Sequence, residues 1–383
     1  MTQRYPVISQ ISLVTPLGDD PDQVCERLEH GDCALRQLRE YPGRERNFMA
    51  APMDDLPAVE DEVPSRFYHL CDRAIRKLGD LPPVDVFILA TTKGPIDILE
   101  QATLQPSVDE AELMGKLAAP TWLAWFERYP FLRGARKLYI NAACASSTMA
   151  LVNLALDIAA GRVRRGLVLG VDIFSLFVQR GFISLNAVSA SRPRPFDRDR
   201  DGLALGECAA AALLSSPEHA PTDPIARILA GACANDASHV TAPDREASGL
   251  IKTLQLLFET AAIFPAAIRA IHAHGTATVF NDIMELKAFN HVFGDKLPPI
   301  CSIKGALGHT LGAAGILEAI LAVLSTGRGR VFPTLGCDRP EELARDRVQP
   351  RVQSIEPGPV ITCNSGFGGI NAGLILQPLE VCS

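Results

Sequence analysis

Tyr139-Ile140-Asn141-Ala142-Ala143-Cys144-Ala145-Ser146-Ser147 joins a short β-patterned run to a long helix of small residues, with one cysteine at the junction. The helix reading covers Ser146 to Ala160, a stretch rich in Ala and Leu without Pro or Gly, and Gly161 is its stop. Cys144 therefore stands at a helix N-terminus. Unpaired N–H groups and the positive end of the helix dipole favour a thiolate there, each pKa unit being worth about 1.4 kcal/mol. The expectation is a nucleophile with a lowered pKa. A cysteine elsewhere is ordinarily a small buried apolar residue, so among the ten cysteines of the chain position singles out this one.

Working outward from this stretch, the same pattern returns later in the chain. Lys137 to Asn141 is strand-like, Ala142 to Ser147 is a tight turn, and a helix follows. Ile300 to Ile303 is again strand-like, Lys304 to Thr310 is a Gly-rich turn, and a helix runs to about Leu324. Strand-like segments come after each copy: Gly166 to Val171 and Gly202 to Leu214 in the first, Val360 to Cys363 and Gly369 to Leu376 in the second. An internal duplication is the economical explanation. Alternating strands and helices place the chain in the α/β class, and runs such as Leu167-Val168-Leu169 suit sheets covered on both faces. The Pro-containing polar stretch Pro217 to Pro224 divides the halves, giving units 1–218 and 219–383. Met49 to Val63, acidic and Pro-rich, reads as a surface loop.

A chain of 383 residues that is 47% hydrophobic and 21% charged can bury a large core. No basic leader followed by an apolar stretch precedes Pro6 to Val14. The most apolar late segment, Gly312 to Leu324, contains Glu318 and is shorter than the roughly 20 residues a membrane span needs, so it reads as a core helix. Without a Cys-x-x-Cys pair, the cysteines argue against a zinc site and for a reducing cytoplasm. The net charge of -7 gives no reason to expect nucleic acid.

Three further stretches carry chemistry. In Ile271-His272-Ala273-His274-Gly275-Thr276-Ala277-Thr278 a short apolar run ends in a turn followed by alternating hydroxyls, suited to lining an extended ligand. Side-chain alternation lets His272 and His274 share a face; the turn position favours His274, and His272 reads as structural. In Lys304-Gly305-Ala306-Leu307-Gly308-His309-Thr310-Leu311-Gly312-Ala313-Ala314-Gly315, His309 holds nearly the place of Cys144 in the second repeat, at the start of the second helix. If the halves pack about a pseudo-twofold axis, both helix starts face one site. Glu318 is the sole ionisable side chain between Leu311 and Leu324; buried, it must be paired, protonated or metal-bound, with Lys304 the nearest cation, and otherwise it reaches solvent. Asn364-Ser365-Gly366-Phe367-Gly368-Gly369 lacks the spacing of a nucleotide loop. It is either a plain hairpin or a turn that presents N–H groups near Cys144 with Phe367 as a movable plug. The run Arg194 to Leu205, RPFDRDRDGLAL, contains the hairpin signal Asp201-Gly202. Its charges read as a solvated rim or, with Arg162, Arg164 and Arg165, as a basic lip for an acidic partner.

In combination these motifs resemble the elongating β-ketoacyl-acyl-carrier-protein synthases of the thiolase superfamily. The resemblance runs from about Lys137 to Ala372. It rests on Ala143-Cys144-Ala145-Ser146-Ser147, RPFDRDRDG ending in Gly206-Glu207, Asn235-Asp236-Ala237 with His239, His274-Gly275-Thr276, Lys304 with Gly308-His309 and Gly312-Ala313-Ala314-Gly315, and Gly366-Phe367-Gly368-Gly369.

The resemblance implies a thiolase-like fold in which duplicated halves form α-β-α-β-α layers. It also implies that Cys144 takes an acyl group as a thioester, with backbone N–H groups of Cys144 and Phe367 as an oxyanion hole and the turn Gly366 to Gly368 as a gate. His274 and His309 would stabilise the enolate formed as malonyl thioester loses carbon dioxide. Thr276 and Thr278 would grip the phosphopantetheine arm, and Lys304 and Glu318 would form a supporting ion pair. No cofactor or metal of its own is expected; the partners implied are an acyl carrier protein and a second subunit in a homodimer or heterodimer. Departures are His-Gly-Thr-Ala-Thr where relatives carry His-Gly-Thr-Gly-Thr, a C-terminal loop one residue short, and Asn186 near the place of a carrier-binding arginine. They lean the reading toward polyene or polyketide formation over housekeeping fatty-acid synthesis. Two rival expectations are a catalytically silent chain-length-factor-like subunit, which would lack the nucleophile, and a thiolase acting on coenzyme A esters, for which Cys363 is a poor match to the second cysteine.

Overall fold

In the computed structural model the described residues are 5–39, 47–56, 63–103, 109–344 and 346–379. Ten strands form one sheet: β1 (Val7–Val14), β2 (Val86–Ala90), β3 (Arg136–Ile140), β4 (Arg165–Asp172), β5 (Cys208–Ser215), β6 (Ala226–Asn235), β7 (Ala270–His272), β8 (Ile300–Cys301), β9 (Val360–Gly366) and β10 (Ile370–Pro378). Their order is β8-β7-β9-β10-β6-β1-β5-β4-β2-β3. Counted outward from the central antiparallel β1–β6 contact, each set of five follows the same order, and corresponding pairs share the same sense. In each set one strand, β5 or β10, runs antiparallel to the other four.

The apolar patterning explains the layers. β2 and β5 are buried along their whole lengths, as continuous apolar runs require when both sheet faces are covered. The outer face of the first set is covered by α1 (Arg66–Lys77), which begins at Ser65, whose side chain accepts from the Phe67 N–H. Between the two sets lie α2 (Ser146–Ala159) and α6 (Ala314–Gly327), which pack on strands of both and on each other. Further helices include α3 (Leu176–Ser184), α4 (Ser248–Ala261), covering β6 and β10, and α5 (Val279–Phe293), packed on α4. The result is the five-layer α-β-α-β-α arrangement. The two central helices approach so closely that a Cβ on Gly315 would lie 2.0 Å from Thr148 Oγ1.

Several local expectations are corrected. Lys304–Leu307 is a single helical turn, and α6 starts only at Ala314, after a 3₁₀ turn at Leu311–Ala313. His309 thus precedes the helix by five residues and is held otherwise. Its N–H donates to Ala204 O (2.7 Å), and its carbonyl accepts from Gly206 N (3.0 Å). Gly308, with φ 71°, makes this possible, because a Cβ there would meet Leu205 O at 2.7 Å. Asp201-Gly202 does not turn a hairpin. The Asp201 carboxylate accepts from Ser189 Oγ and Ala190 N, and Leu203 pairs in parallel with Val188. Of the preceding charges, Arg198 and Asp199 are exposed and ion-paired as a rim would be, but two others are not. Asp197 and Arg200 are buried, Arg200 donating to Thr278 O (3.2 Å), Val279 O (2.8 Å) and Glu341. Arg200 thus satisfies the Thr278 and Val279 carbonyls, while the Asp197 carboxylate accepts from the Asp199 and Arg339 N–H groups. Arg162 and Arg164 pair with Asp157 and Asp85 at the start of β4. This is the sheet end opposite the Cys144 turn, because β3, β2 and β4 are parallel. Of the stretch Met49 to Val63, residues 49–51 end the strand Asn47–Ala51, and 57–62 fall outside the described residues.

Candidate active site

The carboxyl ends of β3 in the first set and of the mutually parallel β7, β8 and β9 in the second deliver the reactive groups to one place, as open α/β sheets do at their carboxyl edge. After β3 the chain turns sharply. Ala143 takes φ 49°, Ala143 N donates to the Asn141 side chain (3.2 Å), and Ser146 Oγ accepts from Ala142 N (2.9 Å). Cys144 is carried on this turn, with its Sγ 3.0 Å from His309 Nε2. The rings of His274 and His309 stand edge to face, centroids 5.1 Å apart. Cys144, His274 and His309 bring their ligand atoms within 4.8 Å of one another, all three residues being buried.

A polar network fixes His274. Asn364 Nδ2 donates to Glu318 Oε2 (2.7 Å), and Thr148 Oγ1 donates to Asn364 Oδ1 (2.5 Å), which orients the amide. The same Nδ2 lies 3.1 Å from His274 Nδ1, so Nδ1 accepts and Nε2 carries the proton toward Cys144 and His309. Lys304 Nζ bonds the His274 carbonyl and the Glu318 carboxylate, a pair buried on both sides. The His274 and Gly275 N–H groups donate to Glu285 (2.7 and 2.6 Å), and Asn281 holds the same carboxylate.

Burial drives the electrostatics. It holds His274 and His309 well below the ordinary imidazole value, aided by the positive charge of Lys304, so both rings are neutral. Burial also pushes the Cys144 thiol up to about 12, against lowering by Lys304 and Lys93. This overturns the expected resting thiolate: desolvation outweighs the helix-start effect, and the ground state is a neutral thiol beside a neutral imidazole. Glu318 is likewise raised by burial, with Lys304 opposing.

Two cavities meet at Cys144. One, of about 320 Å³, is lined by Cys144, His274, His309, Thr276, Thr278 and Phe280; the Thr276 and Thr278 hydroxyls lie 3.0 Å apart. The other, of about 1260 Å³, is lined by Cys144, Phe174, Val178, Phe182, Leu311 and Lys93. Phe367 lines both and packs on Phe182, with centroids 5.8 Å apart. Its turn touches the nucleophile: a Cβ on Gly366 would lie 3.1 Å from Cys144 N. The Gly368 N–H is committed to Val240 O (2.7 Å). Asn186 is exposed at the mouth of the smaller cavity, and Cys363 is buried in β9 and lines neither cavity.

Sequence reading missed Asn364, Glu285 and the pair Lys93–Asp172 (3.1 Å), whose acid also accepts from Gly312 N (2.7 Å). Asn281, Asp282 and Glu285 lie three and four residues apart on one buried face of α5, the signal by which Glu285 was findable.

His272, by contrast, points away from the cavities. It is buried, and burial drops it to about 3. The unfolded chain takes up a proton near pH 6.5 that the folded state refuses, so this residue's contribution to stability falls as pH drops below that value. From pH 7 to 5 the loss is about 2 kcal/mol. Glu285, pushed up to about 8, acts in the opposite sense, so the total curve is ambiguous. The checkable result is a difference. Relative to His272→Leu, the wild-type protein loses about 2 kcal/mol more over that range in urea titrations; parallel curves would refute the assignment.

The comparisons agree with this architecture. Residues 131–220 match the β-ketoacyl synthase N-terminal domain and residues 225–338 its C-terminal domain. A 3-oxoacyl-[acyl-carrier-protein] synthase 2 of Coxiella burnetii is 27% identical over 98% of this chain and 99% of its own length. The chloroplastic synthase II of Arabidopsis thaliana is 32% identical, over 63% of this chain and 47% of that relative, and the Rhizobium meliloti synthase 2 is 36% identical over 51% and 50%. These last two alignments span about half the length of the relatives. Among solved structures, the ishigamide ketosynthase/chain length factor superposes with TM-score 0.88 at 25% identity, covering 99% of this chain and 100% of that one. A β-ketoacyl synthase from Burkholderia phymatum gives 0.84 at 27%, covering 98% and 100%. Two matched domains in order, a shared fold and a Cys-His-His centre at the meeting of the halves leave one conclusion: this chain belongs to the β-ketoacyl synthase family.

Proposed function

We propose that the protein is an elongating β-ketoacyl-carrier-protein synthase, joining a Cys144-bound acyl chain to malonyl-carrier protein with loss of carbon dioxide. The observation that carries this reading is the 3.0 Å contact between Cys144 Sγ and His309 Nε2, beside a neutral His274, where two cavities meet.

The geometry divides the reaction into two steps. In the first, an acyl thioester reaches Cys144 through the smaller cavity, its pantetheine arm against Thr276 and Thr278. Sγ attacks the carbonyl carbon as His309 Nε2 takes the thiol proton, so no free thiolate accumulates. The Cys144 and Phe367 N–H groups hold the tetrahedral oxygen, the carrier thiol leaves with a proton, and the acyl chain occupies the larger cavity once Phe367 has moved. In the second, malonyl thioester takes the vacated place. His274, neutral and donating through Nε2, and His309, neutral and donating once its proton has passed from Nδ1 to Nε2, hold its thioester oxygen while the C–C bond to the carboxylate breaks; the electron pair passes into the enolate. That carbon attacks the Cys144 thioester carbonyl, the C–S bond breaks, and the departing thiolate takes a proton from solvent to return as the thiol. Lys304, Glu318, Asn364 and Glu285 position His274.

The reaction calls for no cofactor held by this chain. The partners we infer are an acyl carrier protein and a second ketosynthase-like subunit. Support comes from a solved ketosynthase with its chain length factor from Xenorhabdus doucetiae, and from the edge position of β3 in the sheet. Polyene or polyketide chains are substrates in keeping with such neighbours. A cytoplasmic setting fits these partners; among the described residues no helix is long and apolar enough to cross a membrane.

Presenting malonyl-carrier protein and, separately, acetyl-coenzyme A tests the activity. Carbon dioxide release from the malonyl thioester, with an acyl adduct on Cys144 by mass spectrometry, is the expected outcome. Thiolysis or condensation of coenzyme A esters alone would point to a thiolase, and a Cys144 that is never acylated to a silent subunit.

A further inference from the structure

We infer that Lys93 selects the acyl chain that Cys144 accepts, its ammonium group donating a hydrogen bond to an oxygen on the third carbon, so that 3-oxo chains are preferred to saturated ones. The inference rests on the reading of Cys144 as the acyl-carrying residue and concerns which chain it carries.

Lys93 follows β2 in the turn Thr91-Thr92-Lys93-Gly94, and its side chain, 11% exposed, lines the larger cavity. Asp172 anchors it there. This carboxylate, fully buried at the end of the neighbouring parallel strand β4, accepts from Thr91 Oγ1 (2.9 Å), Thr92 Oγ1 (2.9 Å), Thr92 N (3.1 Å), Gly312 N (2.7 Å) and Lys93 Nζ (3.1 Å). So many fixed donors leave the carboxylate no freedom to follow a moving partner, and the ammonium is held in place ready-made. An ammonium has three N–H donors. Lys93 commits two, to Asp172 and to Thr92 Oγ1 (3.0 Å), and among the described residues no third acceptor meets it. The remaining donor is left for whatever fills the cavity.

The position of Lys93 selects the carbon. Its turn lies against that of the nucleophile: Asn141, three residues before Cys144, donates from Nδ2 to Thr92 O (2.9 Å). On the other side a Cβ on Gly312 would meet Thr92 N at 3.0 Å, next to Leu311, which packs with Cys144. The Lys93 charge acts on both Cys144 and His309, lowering each. Because the thioester oxygen turns to the Cys144 and Phe367 N–H groups, the oxygen that Lys93 meets belongs to a carbon further along the chain. Condensation leaves its product an oxygen on the third carbon, so an unreduced product of the same reaction is such a chain. A saturated chain offers nothing there. It strips water from the ammonium without replacing the hydrogen bond, which is how a site built around a donor rejects the analogue that lacks the oxygen. The carbons beyond meet Phe174, Leu176, Val178 and Phe182.

The test is a competition in the full-length protein. Equal amounts of the octanoyl and 3-oxooctanoyl thioesters of N-acetylcysteamine are presented together, and the adducts on Cys144 are identified by mass spectrometry. In each loading event Sγ bonds to the carbonyl carbon, the bond to the N-acetylcysteamine sulfur breaks, and the thiol proton passes by way of His309 to the departing sulfur. Only the ratio of adducts is read, so a general loss of rate cancels, and comparison with a variant cancels the greater intrinsic reactivity of the 3-oxo thioester. The wild-type ratio of 3-oxo to saturated adduct is expected to exceed that of Lys93→Met by about tenfold. An unchanged ratio overturns the inference. Should Lys93→Met fold poorly, wild-type protein is offered 3-hydroxyoctanoyl and 3-methyloctanoyl thioesters, which are alike in size. The hydroxy adduct is then expected to lead by about fivefold or more, and equal loading overturns the inference. Failure of every thioester to acylate Cys144 would remove the condensing-enzyme reading and this inference with it, whereas loading without discrimination removes the selection by Lys93 alone.

Discussion

Replacing Cys144 by alanine is expected to abolish acyl loading, by on the order of 10⁴-fold or more, while the folded state survives. The side chain packs at the meeting of the cavities with Leu203, Leu205 and Leu311, and losing one sulfur there costs about 1 kcal/mol or so. The informative part is what remains. Both imidazoles are neutral and face the smaller cavity; the network holding the His274 ring and the backbone bonds holding His309 to Ala204 and Gly206 do not involve Cys144. Cys144→Ala should therefore keep releasing carbon dioxide from malonyl-carrier protein although it cannot extend a chain. His274→Ala should show the reverse, accepting acyl groups but losing decarboxylation, because His309 is the proton acceptor for the thiol. His309→Ala should lose both. Acyl adducts read by mass spectrometry and carbon dioxide release separate the three variants, and continued condensation by Cys144→Ala would remove that residue from the nucleophile's role.

The second large effect concerns the pair behind the histidines. Lys304→Met leaves the Glu318 carboxylate buried without its cation and is expected to cost about 3–5 kcal/mol in equilibrium denaturation. Lys304→Met/Glu318→Gln removes the charge as well as the partner, and most of that loss should return, since Asn364 can still donate to the glutamine carbonyl. Decarboxylation should not return with it, because Lys304 also anchors the His274 carbonyl and keeps both imidazoles from gaining protons. A double variant as unstable as the single one would show that Lys304 acts through packing instead of charge.

Much of this molecule was legible before any coordinates. The strand-turn-helix around Cys144 and its second copy after Ile300 specify an α/β chain of two related halves, because apolar runs with periods of two and 3.6 residues admit few other elements. The Cys-His-His set and the Lys304–Glu318 neighbourhood were readable for a related reason. Reactive or charged side chains in otherwise apolar turns and helices stand out against their surroundings.

What escaped the sequence reading was pairing across distance. Asn364 is 216 residues from Thr148 and 90 from His274, and only the packing of β9 against α2 and α6 makes it the amide that sets a tautomer. Asp197 and Arg200 read as solvated charges because nothing local reveals that Arg200 serves the 278–279 carbonyls and Asp197 the Arg339 N–H. The protonation state of Cys144 shows the same division. One-dimensional reasoning sees a helix start and predicts a thiolate, whereas desolvation depends on atoms contributed by the other half of the chain, and burial prevails. Residue types and periodicity therefore determined the elements, the duplication and the reactive groups. Tertiary structure alone decided charge states, hydrogen-bond direction and the meeting of the two cavities, because those are properties of the space between segments far apart in the chain.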